Sequence, residues 1–251
     1  MKRFDGKVVL VTGGGTGIGR AAALAFAREG AKVVVAGRRE EQGVSVVKAI
    51  QAAGGTASFV RTDVATEKDA IGALDFAVKT YGKLDVLFNN AGTEGKNGPI
   101  SELQAADFDF TFATNVKAVW LLMKHALPHL AKTKGTIVNN GSIVADVGLA
   151  GTTLYSMTKG AVHTLTRAAA MEFIQSGVRV NAVAPGPILT EAASRMFGSP
   201  EKFDEFFKPR VPAGRTGQPE EIAEGVLYLA SAQAAFVVGQ ILTIDGGLTA
   251  Q

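Results

Sequence analysis

The chain contains no cysteine, and this absence removes several kinds of chemistry at once. Disulfides, thiolate nucleophiles and cysteine-ligated zinc or iron–sulfur sites are all excluded. A reducing compartment suits such a composition, so we expect a cytoplasmic protein.

Long apolar segments are also missing. The apolar run at 8–11 is too short for the core of a signal peptide, and nothing approaches the roughly 18 apolar residues that span a bilayer. We therefore expect a soluble chain with no membrane partner.

Charge of one sign is nowhere concentrated, and histidine is scarce. The formal net charge is +3, but no basic run carries interleaved aromatic residues, so nucleic-acid binding is not expected. His125 and His129 have the spacing of a metal pair, but Pro128 lies between them and no HExxH motif surrounds them. We expect no metal site.

What the sequence does have is an alternation of short apolar runs and helix-like stretches. The strand-like runs, rich in Val and Ile, are 7–13, 32–37, 58–64, 84–92, 135–142, 178–186 and 240–247. The helix-like stretches are 18–31, 41–53, 67–81, 104–131, about 154–177 and 219–231. No linker divides the chain. This order predicts one α/β domain over 1–251, a Rossmann-like, doubly wound parallel sheet of about seven strands with helices on both faces.

The first predicted strand ends in a glycine-rich stretch, TGGGTGIGR, at 12–20. Glycines let backbone N–H groups approach an anion, and the helix that follows offers its positive end. The usual dinucleotide pattern G-x-G-x-x-G does not fit at Gly13 or Gly15. The stretch is instead Thr-Gly-x-x-x-Gly-x-Gly, closing with Gly17 and Gly19. A turn without a ligand is the alternative, but the position between the first strand and the first helix favours a phosphate site.

The end of the second predicted strand bears on the choice between NAD and NADP. Gly37 stands where an acidic residue would take the ribose 2′-OH of NAD, and Arg38 and Arg39 follow it. An arginine can hold a 2′-phosphate through a bidentate pair. The alternative is two solvated arginines paired with Glu40 and Glu41. We favour NADP, with NAD as the second choice.

The stretch LYSMTKG places Tyr155 and Lys159 four positions apart on a predicted helix, so both side chains leave from one face. The two residues are either ordinary side chains on one face of a helix, with no functional coupling, or an arrangement in which the lysine changes the acidity of the tyrosine. A free phenol has a pKa of about 10, too high for a base at neutral pH, and a nearby cation favours the phenolate. The spacing alone leaves both interpretations open.

Taken together and in order, these motifs resemble the short-chain dehydrogenase/reductase family over essentially the whole chain. The resemblance rests on TGGGTGIG (12–19), DV (63–64), NNAG (89–92), TNVKAV (114–119), NNGSIV (139–144), YSMTK (155–159), VNAVAPG (180–186) and DGG (245–247). Each motif alone is modest. Their order at the ends of predicted strands makes the combination specific.

The resemblance implies a catalytic tetrad of Asn115, Ser142, Tyr155 and Lys159. By the family pattern Tyr155 gives or takes the proton, while Lys159 lowers the pKa of Tyr155 and binds the nicotinamide ribose. Ser142 hydrogen-bonds the substrate oxygen, and Asn115 holds a water that links Lys159 to solvent.

The resemblance also implies cofactor contacts along the carboxyl edge of the sheet, in addition to Tyr155 and Lys159. They are Gly13, Thr16, Gly17, Ile18 and Gly19 near the pyrophosphate or ribose, Asp63 and Val64 at the adenine, Asn89, Ala91 and Gly92 at the ribose, and Pro185, Gly186, Ile188 and Thr190 on the nicotinamide side. Val64 and Ile188 also suit plain core packing.

The segment at about 190–214 has no regular pattern, and the family places its substrate loop here. Its phenylalanines either belong to a lid over the substrate or pack into the core from two short helices. The expected substrate contacts are Ser142, Ile143, Thr93, Glu94, Met196 and Phe197.

The activity that the resemblance favours is an NADPH-preferring carbonyl reductase, which transfers a hydride between nicotinamide and a ketone or secondary alcohol. A 3-oxoacyl-carrier-protein reductase and a glucose-type sugar dehydrogenase are alternatives. Against the first of these, Met171 precedes Glu172 where those reductases commonly have arginine. A non-catalytic dinucleotide-sensing module is the alternative from another class. The family also implies a homotetramer or dimer, with 104–131 and 154–175 as the close-packing helices.

Overall fold

The computed structural model describes residues 2–251 and is built around one seven-stranded sheet. The strand order is β3-β2-β1-β4-β5-β6-β7, and every neighbouring pair is parallel. The strands are β1 (Val8–Thr12), β2 (Lys32–Gly37), β3 (Thr56–Arg61), β4 (Val86–Asn89), β5 (Thr136–Asn140), β6 (Arg179–Pro185) and β7 (Ile241–Ile244). The predicted Rossmann-like parallel sheet is confirmed.

Nine α-helices connect these strands within residues 2–251 and cover both faces of the sheet. They are α1 (Gly17–Arg28), α2 (Glu40–Ala52), α3 (Glu67–Tyr81), α4 (Ala105–Phe112), α5 (Ala118–Thr133), α6 (Thr153–Phe173), α7 (Glu191–Phe197), α8 (Pro200–Phe207) and α9 (Pro219–Ala230). Helices α1, α2 and α9 pack on one face, and α3, α5 and α6 pack on the other. None of these helices is long and apolar enough to cross a bilayer.

The apolar runs of the sequence become strands because both faces of the sheet are covered. All five residues of β1 are buried, so the strand needs apolar side chains on both sides rather than an alternating pattern. The helix ends follow local rules: Gly30 and Gly82 take left-handed conformations just after α1 and α3, and Pro219 opens α9.

Two elements differ from the sequence-based boundaries. Strand β3 begins and ends earlier than predicted, so Asp63 and Val64 lie beyond its carboxyl end. The helix predicted over 104–131 is divided by a π-helical turn, Ala113–Lys117, between α4 and α5. Just before and within that turn, the hydroxyls of Thr111 and Thr114 bond back to carbonyls four residues earlier. Such back-bonding and π turns bend helices, often at functional sites.

The strand order reverses between β1 and β4, and this reversal positions the site. After β3 the chain crosses to the other side of β1, so the connections on either side of β1 and β4 diverge. A crevice opens at the carboxyl ends of the strands at such a point. The ends of β1, β2, β4 and β5 all face it.

Candidate active site

A cavity of about 580 Å³ lies at this carboxyl edge. It runs from the glycine turn after β1, past the end of β2, to the loop after β4 and to helix α6, with α7 along its open side. The sequence-predicted residues that line it are Gly13, Thr16, Gly17, Ile18, Arg38, Arg39, Asp63, Val64, Ala91, Gly92, Thr93, Glu94, Tyr155, Lys159, Thr190 and Met196.

The glycine turn packs tightly against the loop that follows β4. Gly13 has φ +63°, and a Cβ there would lie 2.9 Å from the Cα of Ala91. A Cβ on Gly19 would lie 2.3 Å from the carbonyl oxygen of Gly13. Gly19 therefore serves the close approach of helix to turn and does not line the cavity, whereas the turn itself presents bare backbone to it.

Hydrogen bonds lock the glycine turn to the loop after β4. The buried Oγ1 of Thr12 accepts from the backbone nitrogens of Asn90 (3.0 Å) and Ala91 (3.1 Å). In return, Nδ2 of Asn90 donates to the carbonyl oxygens of Thr12 (3.0 Å) and Gly13 (3.2 Å). The two walls of the crevice are thus one hydrogen-bonded unit.

The two asparagines of NNAG have different places. Asn89, the last residue of β4, is buried, and its Nδ2 donates to Oδ1 of Asn139 on the neighbouring strand at 2.9 Å. Asn90 is the residue that lines the cavity. Successive residues of a strand point to opposite faces, so only one of the pair can face the crevice. The structure does not place Asn89 on the cavity wall.

The first turn of α1 has the properties of an anion site. The backbone nitrogen of Gly17 donates to Oε2 of Glu191 at 3.0 Å, so a carboxylate already lies at the positive end of this helix. Nη2 of Arg39 donates to Oγ1 of Thr16 at 3.0 Å beside it. The bare glycine backbone, the helix end and the arginine together suit the pyrophosphate of a dinucleotide.

The end of β2 leaves room at the cavity mouth. Nothing lies within 4 Å of a Cβ built on Gly37. Arg38 and Arg39 are exposed, and among the ion pairs within residues 2–251 neither is joined to Glu40 or Glu41. The two guanidinium groups are therefore not neutralised by the acidic residues that follow them.

Tyr155 and Lys159 share one face of α6 and both line the cavity. Nζ of Lys159 lies 5.4 Å from the centre of the Tyr155 ring and donates to the carbonyl oxygen of Asn140 at 2.7 Å. The lysine is 6% exposed, and burial lowers its pKa to about 8, against the opposing effect of the negative charge of Glu94.

The pKa of Tyr155 moves in the direction opposite to the expected one. Enclosure by protein raises it above the ordinary value of a phenol, and the negative charge of Glu94 raises it further, while a hydrogen bond from Ser142 lowers it. Lys159 is not among the groups that shift this pKa, and its ammonium donates to the carbonyl oxygen of Asn140. The phenol is therefore neutral at pH 7 in this arrangement.

Ser142 stands at the start of the short 3-10 turn that follows β5, where its Oγ accepts from the backbone nitrogen of Val144 at 3.4 Å. Ser142 and Ile143 are both buried, and neither lines the cavity. Ser142 nevertheless reaches the hydroxyl of Tyr155. The structure thus brings the serine and the tyrosine together at the inner end of the crevice.

Asn115 lies within the π-helical turn and is 2% exposed. Its Nδ2 donates to the carbonyl oxygen of Thr93 (2.7 Å) and to Oγ1 of Thr158 (3.0 Å). Its Oδ1 accepts from the backbone nitrogen of Thr93 at 2.8 Å. Both amide hydrogens are in use, so the side chain joins the loop after β4 to α6 and does not offer them to a water beside Lys159.

Comparison with known proteins decides the family. A family model described as Enoyl-(Acyl carrier protein) reductase matches residues 13–249. The chain belongs to the short-chain dehydrogenase/reductase family. An uncharacterized oxidoreductase of Thermotoga maritima is 43% identical over 251 residues, covering 98% of this chain and 99% of that protein.

Two further relatives are similar along their whole length. The cis-4-hydroxycyclohexanecarboxylate dehydrogenase of Sinomonas cyclohexanicum is 43% identical over 249 residues, 98% of each chain. The crystal structure of levodione reductase superposes with a TM-score of 0.93 at 33% identity and covers 99% of each chain. As a member of this family, the protein is an NAD(P)-dependent oxidoreductase that acts on CH–OH groups.

In this short-chain dehydrogenase/reductase, the segment after β6 forms two short helices rather than an irregular loop. Phe197 at the end of α7 contacts the rings of Phe203, Phe206 and Phe207 on α8, with centroids 5.2–5.4 Å apart. Phe197 therefore packs within this helix pair and does not line the cavity, whereas the preceding Met196 does.

Three other expected cofactor residues lie off the cavity wall. A Cβ on Gly186 would lie 2.6 Å from Cβ of Asp245, so this glycine allows β6 and β7 to approach. Ile188 is buried and forms a parallel bridge with Gly217. Pro185 ends β6 and is also absent from the lining.

Sequence reasoning missed several lining residues. Asn90 directly follows β4 and Asn140 is the last residue of β5, so the strand-end rule that identified their neighbours could have found them. The others depend on tertiary packing that no local pattern indicates: Gln42, Gly43 and Phe59 on the β2 side, and Glu191 and Arg195 on α7.

Proposed function

We propose that this protein is an NADP(H)-preferring carbonyl reductase, which interconverts a ketone and a secondary alcohol. One observation carries the proposal: Tyr155 and Lys159 open into the same cavity as the glycine turn and the positive end of α1. A proton-transfer pair and an anion site in one crevice suit hydride transfer from a dinucleotide.

The residues that would hold the cofactor follow from the lining. The glycine turn and the first turn of α1 would take the pyrophosphate, Asp63 and Val64 the adenine side, and Thr190 the nicotinamide side. When bound, nicotinamide supplies or accepts the hydride.

Three features of the β2 end support NADP over NAD. Gly37 brings no carboxylate to repel a 2′-phosphate, and Arg38 and Arg39 stand beside the cavity without an acidic partner. Arg38→Ala should therefore weaken NADPH binding much more than NADH binding. Gly37→Asp has open space for its side chain and should shift the preference toward NADH. Faster turnover with NADH that Arg38→Ala leaves unchanged contradicts this assignment.

Tyr155 would act as the general acid in ketone reduction. Its raised pKa keeps the phenol protonated at neutral pH, so a proton is available for the developing alkoxide. Ser142, which reaches the same hydroxyl, would stabilise the charge that develops on the substrate oxygen. Lys159 places a cation beside the pair, and Asn115 joins α6, which carries Tyr155 and Lys159, to the loop after β4.

A dinucleotide-sensing module is the rival from another class. The experiment is a panel of ketones and secondary alcohols with NADPH and with NADH, followed by the absorbance of the reduced nicotinamide. Turnover that disappears in Tyr155→Phe while cofactor binding persists supports the enzyme. Tight cofactor binding with no turnover on any carbonyl or alcohol supports the sensor.

Association with further copies of this chain is part of the proposal. Helices α4 and α5 leave large apolar side chains exposed, among them Phe108, Phe110 and Trp120, which are 40–50% accessible. A second copy packed on this face would remove that surface from water. Light scattering should give a tetramer or dimer, and Trp120→Lys should lower the mass. A monomeric wild type contradicts this part.

A further inference from the structure

Glu94 is a charged side chain that the proposed mechanism leaves unused. It lies two residues after Gly92 on the loop beyond β4, is half-buried, and lines the same cavity as Tyr155, Lys159 and Met196. Within residues 2–251 its carboxylate has neither a hydrogen-bond donor nor a salt-bridge partner.

Hydrogen bonds and close packing hold the loop around Glu94 in one position, so the backbone that carries its carboxylate is fixed at the cavity. Thr93 on one side exchanges two hydrogen bonds with Asn115, at 2.7 and 2.8 Å. Gly95 on the other side, with φ +68°, packs so closely on Thr111 that a Cβ would lie 2.3 Å from its hydroxyl. The backbone on both flanks is therefore fixed.

The negative charge of Glu94 acts on the two titratable groups at the reacting end of the cavity, Tyr155 and Lys159. The carboxylate of Glu94 lines the same cavity as Tyr155 and Lys159, beyond salt-bridge distance from the ammonium, and its negative charge raises the pKa of both groups. A substrate whose oxygen meets Tyr155 therefore has the rest of its body close to Glu94.

A half-buried carboxylate without a partner is costly and is stabilised by a ligand that donates a hydrogen bond. Hydroxyl, amide and ammonium groups can all donate such a bond. An ammonium would lie near the cation of Lys159 and be repelled by it. A carboxylate on the substrate would be repelled by Glu94 itself. A hydroxyl meets neither objection and, unlike an amide, is the group that an enzyme acting on CH–OH groups already binds at its reacting carbon.

We infer that Glu94 is a specificity-determining residue that accepts a hydrogen bond from a second hydroxyl of the substrate. The substrate class is then a diol, or the corresponding hydroxyketone, rather than a simple ketone or a keto acid. This inference rests on the proposed function, because it places the reacting carbon at Tyr155.

The test compares matched substrates in matched variants. Cyclohexanol and the cyclohexane-1,2-, 1,3- and 1,4-diols are assayed with wild type, Glu94→Ala and Glu94→Gln. Glu102→Gln, which removes an exposed carboxylate on the following turn, is the control. We expect kcat/KM of the wild type to favour one diol over cyclohexanol. Glu94→Ala should reduce that preference about 10- to 100-fold, the effect of one charge-assisted hydrogen bond.

The remaining comparisons separate the contact from a structural role. Glu94→Gln keeps an acceptor oxygen and should retain part of the diol preference. Because loss of the Glu94 charge also changes the pKa of Tyr155 and Lys159, the preference is the ratio of kcat/KM for diol and cyclohexanol, measured for each variant at its own pH optimum. A parallel fall for diol and cyclohexanol overturns the inference, as does an unchanged preference in Glu94→Ala.

A binding measurement keeps this inference distinct from the proposed function. The same substrate pair is titrated by calorimetry into Tyr155→Phe, with and without Glu94→Ala. Tighter diol binding that needs Glu94 supports the contact whether or not the enzyme turns over any alcohol. Equal binding of diol and cyclohexanol overturns it, even if the reductase activity is confirmed.

Discussion

Loss of the Thr12 hydroxyl should weaken the link between the two walls of the crevice. Thr12 is 1% exposed, and its Oγ1 accepts from the backbone nitrogens of Asn90 and Ala91 and donates to the carbonyl oxygen of Phe88 (3.3 Å). Thr12→Val keeps the shape of the side chain but removes the acceptor. Two partly buried N–H groups then lose their partner.

The magnitude follows from those two groups. Each such donor left without a partner costs about 1–2 kcal/mol, so Thr12→Val should lower the free energy of unfolding by about 2–4 kcal/mol. For a chain of this size that corresponds to a fall in Tm of about 5–15 °C. The dissociation constant for the cofactor should rise as well, because only the two bonds that Asn90 donates then join the glycine turn to the loop after β4.

Thr12→Ser is the matched control, because it keeps the hydroxyl and loses only a methyl group. Thermal unfolding and cofactor titration of the three proteins at one concentration decide the matter. A Tm of Thr12→Val equal to that of the wild type would contradict this explanation. So would a Thr12→Ser variant that is destabilised as much as Thr12→Val.

Three further predictions concern charge. Glu94→Gln removes the negative charge that stabilises the protonated forms of Tyr155 and Lys159, so the pKa of both groups should fall. Both limbs of the pH profile of alcohol oxidation should therefore move to lower pH. A profile that stays in place or moves to higher pH would show that Glu94 does not raise these pKa values. Asp85 is 3% exposed, forms ion pairs with Lys7 (2.9 Å) and Lys83 (3.0 Å), and accepts a hydrogen bond from the backbone nitrogen of Val8. Asp85→Ala should lower the free energy of unfolding by about 2–3 kcal/mol, and by no more than that because both lysines can return to water. Urea unfolding measures this, and an unchanged midpoint argues against it. Glu191→Gln removes a carboxylate that would compete with the cofactor phosphates at the positive end of α1. NADPH binding, measured by fluorescence titration, should therefore become about 2- to 5-fold tighter. Weaker binding would show that the carboxylate does not compete with the phosphates.

The order of strands and helices could be predicted because a parallel sheet buried on both faces leaves continuous apolar runs separated by helical stretches. The boundaries were less accurate where local pattern and tertiary contact compete. The π-helical turn at Asn115 lies inside a stretch that is helical by every local criterion. Only its contacts with Thr93 and Thr158, both distant in sequence, show why the helix is interrupted there.

The site was predictable as a set of residues but not as an electrostatic arrangement. The spacing of Tyr155 and Lys159 placed them on one face, and both line the cavity. The spacing could not indicate that Lys159 donates to Asn140, or that Glu94, on a loop distant in sequence, would raise the pKa of both groups. The direction of a pKa shift depends on burial and on neighbours that only the folded chain brings together.

In the proposed reaction the hydroxyl of Tyr155 transfers the proton. The most direct measurement is steady-state turnover of Tyr155→Phe on the best ketone found for the wild type, together with its dissociation constant for NADPH. We expect kcat to fall about 100-fold or more while the dissociation constant changes only a few-fold. Turnover at the wild-type rate by the phenylalanine variant would contradict this role of Tyr155.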